Sequence, residues 1–260
     1  KDGRGRVLVV GGSVEVPGAA LLAGIGALRA GAGKLQMATC RSVAPHLAVA
    51  APEARVSGLD ETPGGGISPE EAERLAGRAD RCDALLLGPG MMDQDDEAWL
   101  LTERLLARME CGPCVGLDAA ALPKLDGGGA ALRPHAGRVV LTPHAGEMAK
   151  LLGVPKAEVE ADPVGAARRA AAALKAVVAM KGGCTFVVSP QGEAWSCDRG
   201  NIGLATSGSG DTLAGVIAGL AARGATPVQA TLWGVFLHGE AGNRLARARG
   251  PMGFLARALL

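Results

Sequence analysis

The chain has no tyrosine, and only three phenylalanines and three tryptophans occur among its 260 residues. Proteins that bind single-stranded nucleic acid stack the bases on aromatic side chains, so this shortage argues against that function. An excess of charge is also missing, since 27 lysines and arginines face 26 aspartates and glutamates. Without a basic field to attract nucleic acid or anionic lipid, any anion has to be bound by local geometry.

Long apolar runs are absent as well. Hydrophobic residues make up 48% of the chain, but a charge or a glycine interrupts each run well before the roughly 18 residues of a membrane span. We therefore expect no membrane partner. The chain is too long to need disulfide bonds, so we expect its six cysteines to be reduced and mostly in the core. They are Cys40, Cys82, Cys111, Cys114, Cys184 and Cys197.

The chain shows no linker that would divide it, and its length suits one large α/β domain. It begins at Lys1 rather than at a methionine, and the first residues lack the features of a signal peptide. We expect residues 1–260 to form a single cytoplasmic domain that has been trimmed at both ends.

Short β-branched or leucine-rich runs alternate with stretches of helical period. This alternation predicts an α/β fold with a mostly parallel central sheet and helices on both faces. The predicted strands are 7–10, 35–39, 84–87, 115–117, 139–141, 177–180 and 185–188. The predicted helices are 19–30, 70–79, 96–109, 146–152, 163–176, 212–222 and 227–247.

Glycine and proline mark the turns between these elements. Ser189-Pro190-Gln191-Gly192 separates two short apolar runs, which predicts a hairpin near one edge and therefore a mixed sheet. The glycine-rich segments 62–66 and 127–129 are predicted to be surface loops. The 40 glycines of the chain also suggest closely packed helices.

Ligands of open α/β sheets bind beyond the carboxyl ends of the strands, so the loops that follow strands are the candidate sites. Four of these loops have unusual sequences. They are Gly11-Gly12-Ser13, Gly88-Pro89-Gly90, Thr142-Pro143-His144-Ala145-Gly146-Glu147 and Lys181-Gly182-Gly183-Cys184-Thr185.

The segment Gly208-Ser209-Gly210-Asp211 precedes a helix expected to begin at about Thr212. Its glycines let successive amides turn toward one point, and the helix adds the positive end of its dipole, which together predict an anion hole. That helix would be held rigidly by one buried apolar face, which consists of Leu213, Val216, Ile217 and Leu220. Asp211 is either a simple helix cap or a base that takes a proton from an attacking hydroxyl group.

Other candidates also have two interpretations. His144 is either an ordinary loop histidine or a ligand contact. Lys181 is either a solvated charge at a strand end or a nucleotide contact, since two glycines follow it. Gly88-Pro89-Gly90 is either a plain turn or part of the site.

Several motifs are rejected as functional. Cys111-Gly112-Pro113-Cys114 has the spacing of a thioredoxin motif, but it ends a helix and leads into a strand, whereas a redox motif follows a strand and opens a helix. The glycines after the first strand do not have the spacing of a Rossmann fingerprint. No group of histidines, cysteines and aspartates has zinc-site spacing.

Taken together in their order along the chain, these motifs resemble the ADP/ATP-dependent NAD(P)H-hydrate dehydratase family. The resemblance covers nearly the whole chain, and the Pro-His-x-Gly-Glu element combined with the Gly-Ser-Gly-Asp loop separates this family from its kinase relatives. The motifs that carry it are Gly11 to Ser13, Pro17 to Ala19, Leu28 to Gly33, Gly88 to Gly90, Leu117 to Ala119, Thr142 to Glu147, Lys181 to Gly183 and Ala205 to Asp211.

The resemblance implies a ribokinase-like fold and a reaction that restores NADH or NADPH from the S epimer of its hydrate. It implies ADP in bacterial members, ATP in eukaryotic ones, and assistance by Mg²⁺. Asp211 would be the catalytic base, and the hydrate would contact Ala19, Gly90, His144 and Asp211. The nucleotide would contact Lys181, Gly182, Gly183, Cys184, Thr185, Gly208, Ser209 and Gly210.

The chain departs from the family pattern at Asp118-Ala119-Ala120, where Asp-Ala-Asp is frequent, and Val14-Glu15-Val16 lacks an aromatic residue that some members carry. Many members also have an epimerase domain, so we expect a separate epimerase as partner, and we expect a homo-oligomer. Two rival functions remain: a kinase of the same fold acting on a hydroxymethylpyrimidine or thiazole alcohol, and a nucleotide-binding protein without turnover.

Overall fold

The structure is a computed structural model that describes residues 2–92, 96–110 and 112–260. Nine strands and ten α-helices lie in this part of the chain. The strands are β1 (Arg6–Val10), β2 (Lys34–Cys40), β3 (Ala54–Leu59), β4 (Ala84–Leu87), β5 (Cys114–Leu117), β6 (Val139–Leu141), β7 (Val177–Met180), β8 (Thr185–Val188) and β9 (Ala194–Cys197). The helices are α1 (Pro17–Arg29), α2 (Ala44–Ala50), α3 (Ala72–Ala79), α4 (Glu97–Arg108), α5 (Leu125–Leu132), α6 (Ala145–Leu152), α7 (Lys156–Ala161), α8 (Pro163–Leu174), α9 (Ser209–Ala222) and α10 (Pro227–Arg249).

All nine strands belong to one sheet in the order β3-β2-β1-β4-β5-β6-β7-β8-β9. Strands β1 to β7 pair in parallel, and β8 and β9 pair antiparallel at one edge. The strand order reverses between β1 and β4, which is where ligands bind in doubly wound sheets. The predicted α/β class with a mostly parallel sheet is confirmed, and so is the hairpin at residues 189–192.

Helices cover both faces because the strands are apolar on both sides. In β1, Leu8 and Val10 belong to the core beneath α3, α4, α6 and α8, whereas Val7 and Val9 face α1 and α9. Such continuous burial is typical of parallel strands between two helical layers.

The contact between α1 and α9 is made by small residues. A Cβ atom on Gly215 would lie 2.0 Å from the carbonyl oxygen of Ala23, and one on Gly219 would lie 2.4 Å from that of Ala27. The predicted close packing of helices is therefore observed here. Leu213 and Ile217 are buried as expected, although Val216 and Leu220 are only partly buried.

Several sequence-based boundaries need correction. Residues 127–129, expected to form a loop, lie in α5, because the leucines and alanines around them favour a helix that buries Leu132. The prediction missed β3, whose partly exposed residues lack a clear apolar pattern, and it missed the short helices α2 and α7. Helix α9 begins three residues earlier than expected, at Ser209.

The five described cysteines are free, and Cys111 lies outside the described residues. Cys40 and Cys82 are buried as expected, but Cys114, Cys184 and Cys197 are only partly buried, the last two because they lie beside the edge hairpin. Burial raises the pKa of the Cys114 thiol to about 12. A protonated thiol is a poor nucleophile, which weighs against a redox role.

No helix within the described residues combines the length and the apolar character that crossing a membrane requires.

The tight contact between α1 and α9 leads to a stability prediction. Gly215→Ala would place a methyl group against the Ala23 carbonyl, so the helices must separate, and we expect a loss of about 1 to 3 kcal/mol in the free energy of unfolding. Gly77→Ala is the matched control, since Gly77 lies in the exposed face of α3 with no neighbour within 4 Å. There we expect a gain of about 0.5 to 1 kcal/mol. Chemical denaturation of both variants measures the difference, and equal effects would contradict the packing argument.

Candidate active site

Two glycine loops meet where the strand order reverses. The Gly12 amide donates to the carbonyl oxygen of Pro89 at 2.7 Å, which joins the ends of β1 and β4. Gly88 has φ +116°, and a Cβ atom there would lie 1.8 Å from the carbonyl oxygen of Asp118, after β5. A Cβ atom on Gly90 would lie 2.8 Å from the Cβ of Ala19 at the start of α1. The segment 88–90 is therefore a close junction rather than a plain turn, and it brings the predicted substrate residues Ala19 and Gly90 together.

The predicted anion hole corresponds to the amino terminus of α9. Gly208 precedes the helix with φ +86°, in the left-handed region, so the chain turns tightly and Ser209 becomes the first helical residue. Asp211 is consequently the third residue of the helix and not its cap, which corrects the simple capping interpretation. The first amides of a helix have no carbonyl partner within it and can bind an anion.

His144 caps α6 through a reciprocal pair of hydrogen bonds. Its Nδ1 accepts from the amides of Gly146 at 3.0 Å and Glu147 at 3.1 Å, and Glu147 Oε2 accepts from the His144 amide at 2.7 Å. In the neutral ring the proton is thus assigned to Nε2, which lies 3.4 Å from Glu147 Oε1. His144 is therefore a fixed structural residue whose ring remains exposed at the site.

A charged cluster lies where β5, β6 and β7 end. The Lys181 amide donates to the Pro143 carbonyl, which ties the two loops together at 2.8 Å. The Lys181 ammonium lies 3.1 Å from Asp118 Oδ1 and 3.6 Å from Glu147 Oε2. Thr142 Oγ1 donates to the same Asp118 oxygen at 2.6 Å. Lys181 is thus a paired charge whose side chain is only 19% exposed, and not a solvated one.

The cluster shifts the pKa values of its members. Burial alone would lower the pKa of Lys181, but Asp118 and Glu147 outweigh it and hold that pKa above its usual value. Burial, and next the charge of Asp118, raise the pKa of Asp211 to about 6, against the opposing effect of Lys181. A carboxylate with such a pKa is ionised at neutral pH yet more basic than an exposed one, as a general base requires.

A cleft of about 780 Å³ opens between the Lys181 loop and the start of α9. It is bordered by Lys181, Gly182, Gly183, Thr185, Ser209 and Gly210, and by His144 at one end. Cys184 and Gly208, also predicted as nucleotide contacts, do not border it. A Cβ atom on Gly210 would lie 3.3 Å from the Lys181 Nζ, so the ammonium rests against the first turn of α9.

Other residues around this cleft were not predicted from the sequence. His238, from the middle of α10, lies with its Nε2 3.0 Å from Ser209 Oγ, and burial lowers the pKa of His238 to about 4. Arg199 and Asn201 also border the cleft. The position of Asp118 directly after a buried strand is a signal that could have identified it, whereas nothing near His238 in the sequence indicates the site.

His144 also borders a second cavity, of about 390 Å³. Trp99, Met91 and Leu122 contribute apolar walls there, and Ala119 and Ala120 line it beside the cluster. His144 therefore borders both cavities, and the larger of the two is also bordered by Ser209 and Gly210 at the start of α9.

The cluster has a net negative charge, because three carboxylates, Asp118, Glu147 and Asp211, surround one lysine. Nucleotide phosphates are also negative, so a cation between them fits this chemistry. Among the described residues no group of three or more histidines, cysteines or acidic residues could hold a metal by itself. The carboxylates of the cluster supply the oxygen ligands that Mg²⁺ prefers, and Mg²⁺ keeps several waters and enters with substrate phosphates.

The doubly wound sheet, with a glycine loop that opens a helix beside this charged cluster, defines a ribokinase-like α/β protein. A family model described as NAD(P)H-hydrate dehydratase matches residues 7–260. The chain therefore belongs to the NAD(P)H-hydrate dehydratase family.

Known relatives agree with this membership. The ADP-dependent (S)-NAD(P)H-hydrate dehydratase of Xanthomonas campestris is 51% identical over 261 residues, which cover 100% of this chain and 86% of the relative. The bifunctional NAD(P)H-hydrate repair enzyme of Moorella thermoacetica is 41% identical, and the match covers 98% of this chain but 48% of that enzyme. The dehydratase of Bacillus subtilis, solved with ATP/Mg²⁺, superimposes with a TM-score of 0.82 at 33% identity, over 99% of this chain and 87% of that one.

The raised pKa of Asp211 predicts how stability depends on pH. The folded-state pKa of about 6 lies above the ordinary value of 3.8, so the folded protein binds the proton more tightly and loses stability as pH rises between these values. We expect Asp211→Asn to be more stable than the parent at about pH 8, by about 1 to 3 kcal/mol, and to lose that advantage near pH 4. Denaturant unfolding across this range tests it, and parallel curves for the two proteins would contradict it.

Proposed function

We propose that this chain catalyses the ADP-dependent dehydration of (6S)-hydrated NADH or NADPH, which returns the damaged cofactor to its reduced form. The observation that carries the proposal is the position of Asp211 in the first turn of α9, close to the charge of Lys181 and directly after Ser209 and Gly210, which border the large cleft. A base, a cation and helix amides then converge where a phosphoryl group would be transferred.

The nucleotide would occupy the large cleft. Lys181, Gly182, Gly183 and Thr185 would contact it from one side, and Ser209 and Gly210 would do so from the helix terminus. Cys184 and Gly208 would contribute only through their backbones, because Cys184 lies between two bordering residues and Gly208 makes the turn before α9. Mg²⁺ would enter with the phosphates and reduce their repulsion from the carboxylates.

The hydrate would lie on the other side of Asp211. Ala19 and Gly90 form a close contact at the junction of β1 and β4, where the hydrate would contact them, and the exposed His144 ring would approach the hydrate from the start of α6. The ring hydroxyl would then face Asp211, and the remainder of the dinucleotide would extend away from the cleft.

The chemistry explains why a nucleotide is consumed. Hydroxide is a poor leaving group, so the substrate hydroxyl first gives its proton to Asp211 and attacks the terminal phosphorus of ADP, with AMP as the leaving group. The lone pair of the ring nitrogen then expels phosphate, and loss of a proton from the adjacent carbon restores the ring double bond. The products are NAD(P)H, AMP and phosphate.

The kinase alternative uses the same anion hole but would release a stable phosphorylated alcohol. It has less support, because the relatives that match at 51% and 41% identity are hydrate dehydratases or repair enzymes. ADP is preferred over ATP in this proposal because the Xanthomonas relative is described as ADP-dependent. The silent nucleotide-binding alternative predicts binding without either product.

The chain spans about half the length of the bifunctional relatives, such as the Moorella enzyme. We propose that residues 1–260 act as one catalytic domain in the cytoplasm and that an NAD(P)H-hydrate epimerase supplies the S epimer.

We also propose a homo-oligomer. Helix α10 exposes Trp233, Phe236 and Leu237 on one face. The rings of Trp233 and Phe236 pack edge to face, with 5.9 Å between their centroids. Contiguous exposed aromatic residues are typical of interfaces.

Turnover tests the proposed reaction. The parent protein, mixed with hydrated NADH, Mg²⁺ and ADP, should regenerate the absorbance of NADH and release AMP and phosphate. Asp211→Asn keeps the shape of the side chain but cannot take the proton, so we expect turnover to fall by about 10² to 10⁴ while ADP still binds in calorimetry. If neither ADP nor ATP supports NADH formation by the parent, the dehydratase proposal is wrong. If the Asn variant turns over normally, Asp211 is not the base.

Light scattering after size-exclusion chromatography tests the oligomer. Trp233→Glu would place a charge on the aromatic face of α10, and we expect it to dissociate the parent assembly into monomers. Val49→Glu is the control, because Val49 is 83% exposed on α2 and belongs to no aromatic patch. A monomeric parent, or dissociation by the Val49 variant instead, would contradict the proposed interface.

A further inference from the structure

Asp118 is fixed from several directions at the end of β5. Its amide donates to the Leu87 carbonyl at 3.0 Å, and its own carbonyl oxygen lies where a side chain on Gly88 would be. Its carboxylate is 2% exposed, and Oδ1 accepts from both Thr142 Oγ1 and the Lys181 ammonium. The position of this oxygen is therefore set by the sheet, independently of any ligand.

Asp118 and Glu147 are the two described carboxylates within 4 Å of the Lys181 ammonium, and they are not equivalent. Asp118 is nearer, at 3.1 Å, whereas Glu147 is 3.6 Å away and its Oε2 already accepts from the His144 amide. Since a Cβ atom on Gly210 would lie 3.3 Å from the same ammonium, the contact with Asp118 bears on how closely the charge approaches the first turn of α9.

We propose that Asp118 is a positioning residue, which holds the Lys181 ammonium beside the start of α9, where the transferred phosphoryl group arrives. Without Asp118, Glu147 is the remaining described carboxylate within 4 Å of the ammonium, which then moves toward the α6 cap and away from the anion hole. The inference rests on the proposed dehydratase reaction and adds to it a residue that contacts neither substrate.

This role differs from simple neutralisation of a buried charge. A neutralising partner affects stability alone, since any arrangement that pairs the lysine suffices. A positioning partner affects the rate through Lys181, so its removal should have no further effect once the ammonium is gone. A double-mutant cycle separates the two because it measures the coupling between residues.

The cycle consists of Asp118→Asn, Lys181→Met and the double variant. Asn keeps the shape and still accepts from Thr142, and we expect kcat to fall by about 10- to 100-fold with the KM for the hydrate changed by less than about threefold. We expect the double variant to match the kcat of Lys181→Met within about twofold. We also expect its melting temperature to exceed that of Lys181→Met, because the latter leaves Asp118 buried without a counter-ion.

The matched control is Glu71→Gln, which removes another buried carboxylate, 7% exposed and 3.3 Å from Arg74, far from this cluster. It should lower the melting temperature but leave kcat within about twofold of the parent. If Asp118→Asn does not fold, the comparison of the double variant with Lys181→Met still decides, since an additional loss of kcat overturns the proposal.

Two other results overturn it: near-parental kcat in Asp118→Asn, or full recovery of that variant by excess Mg²⁺, which would assign the carboxylate to the metal. Failure of the dehydratase proposal itself is recognised separately, because the parent would then lack turnover. In that case the melting temperatures of the three variants still report whether Asp118 and Lys181 are coupled. If the change in melting temperature of the double variant equals the sum of the changes in the two single variants, the pairing is overturned.

Discussion

The buried ammonium of Lys181 is the charge around which the site is arranged. A buried charge is strongly destabilising unless it is paired, and the fold supplies Asp118 and Glu147 from the ends of β5 and the start of α6. Those ends can meet because parallel strands all place their carboxyl ends at one edge of the sheet. The pairing in turn places a cation against the glycines that open α9.

The same arrangement explains the electrostatics of Asp211. This carboxylate lies in the first turn of a helix, where the dipole favours negative charge, yet burial and the neighbouring Asp118 raise its pKa to about 6. The opposing effects leave a carboxylate suited to the proposed role of a base at neutral pH. The net negative charge of the cluster also means that phosphates must arrive with a cation, which accounts for the expected role of Mg²⁺.

Much of this could be predicted from sequence where local chemistry determines structure. The continuous apolar run of β1 and the glycines after β4 mark a buried strand and a tight junction, and Gly208 to Asp211 indicates an anion hole. Helix α9 begins earlier than predicted because Gly208 turns in the left-handed region beside Leu22 of α1, and this tertiary contact is not visible in the sequence. The contribution of His238 was missed for the same reason, since it reaches Ser209 from a helix that follows much later in the chain.

The central claim is that the substrate hydroxyl itself is phosphorylated and then leaves as phosphate. The most direct test uses hydrated NADH whose ring hydroxyl carries the heavy isotope of oxygen, and mass spectrometry of the phosphate released during turnover. The account predicts that the label appears in inorganic phosphate, one labelled oxygen for each NADH formed. Label found in water, with unlabelled phosphate, would contradict it, because ADP would then be hydrolysed without phosphoryl transfer to the substrate.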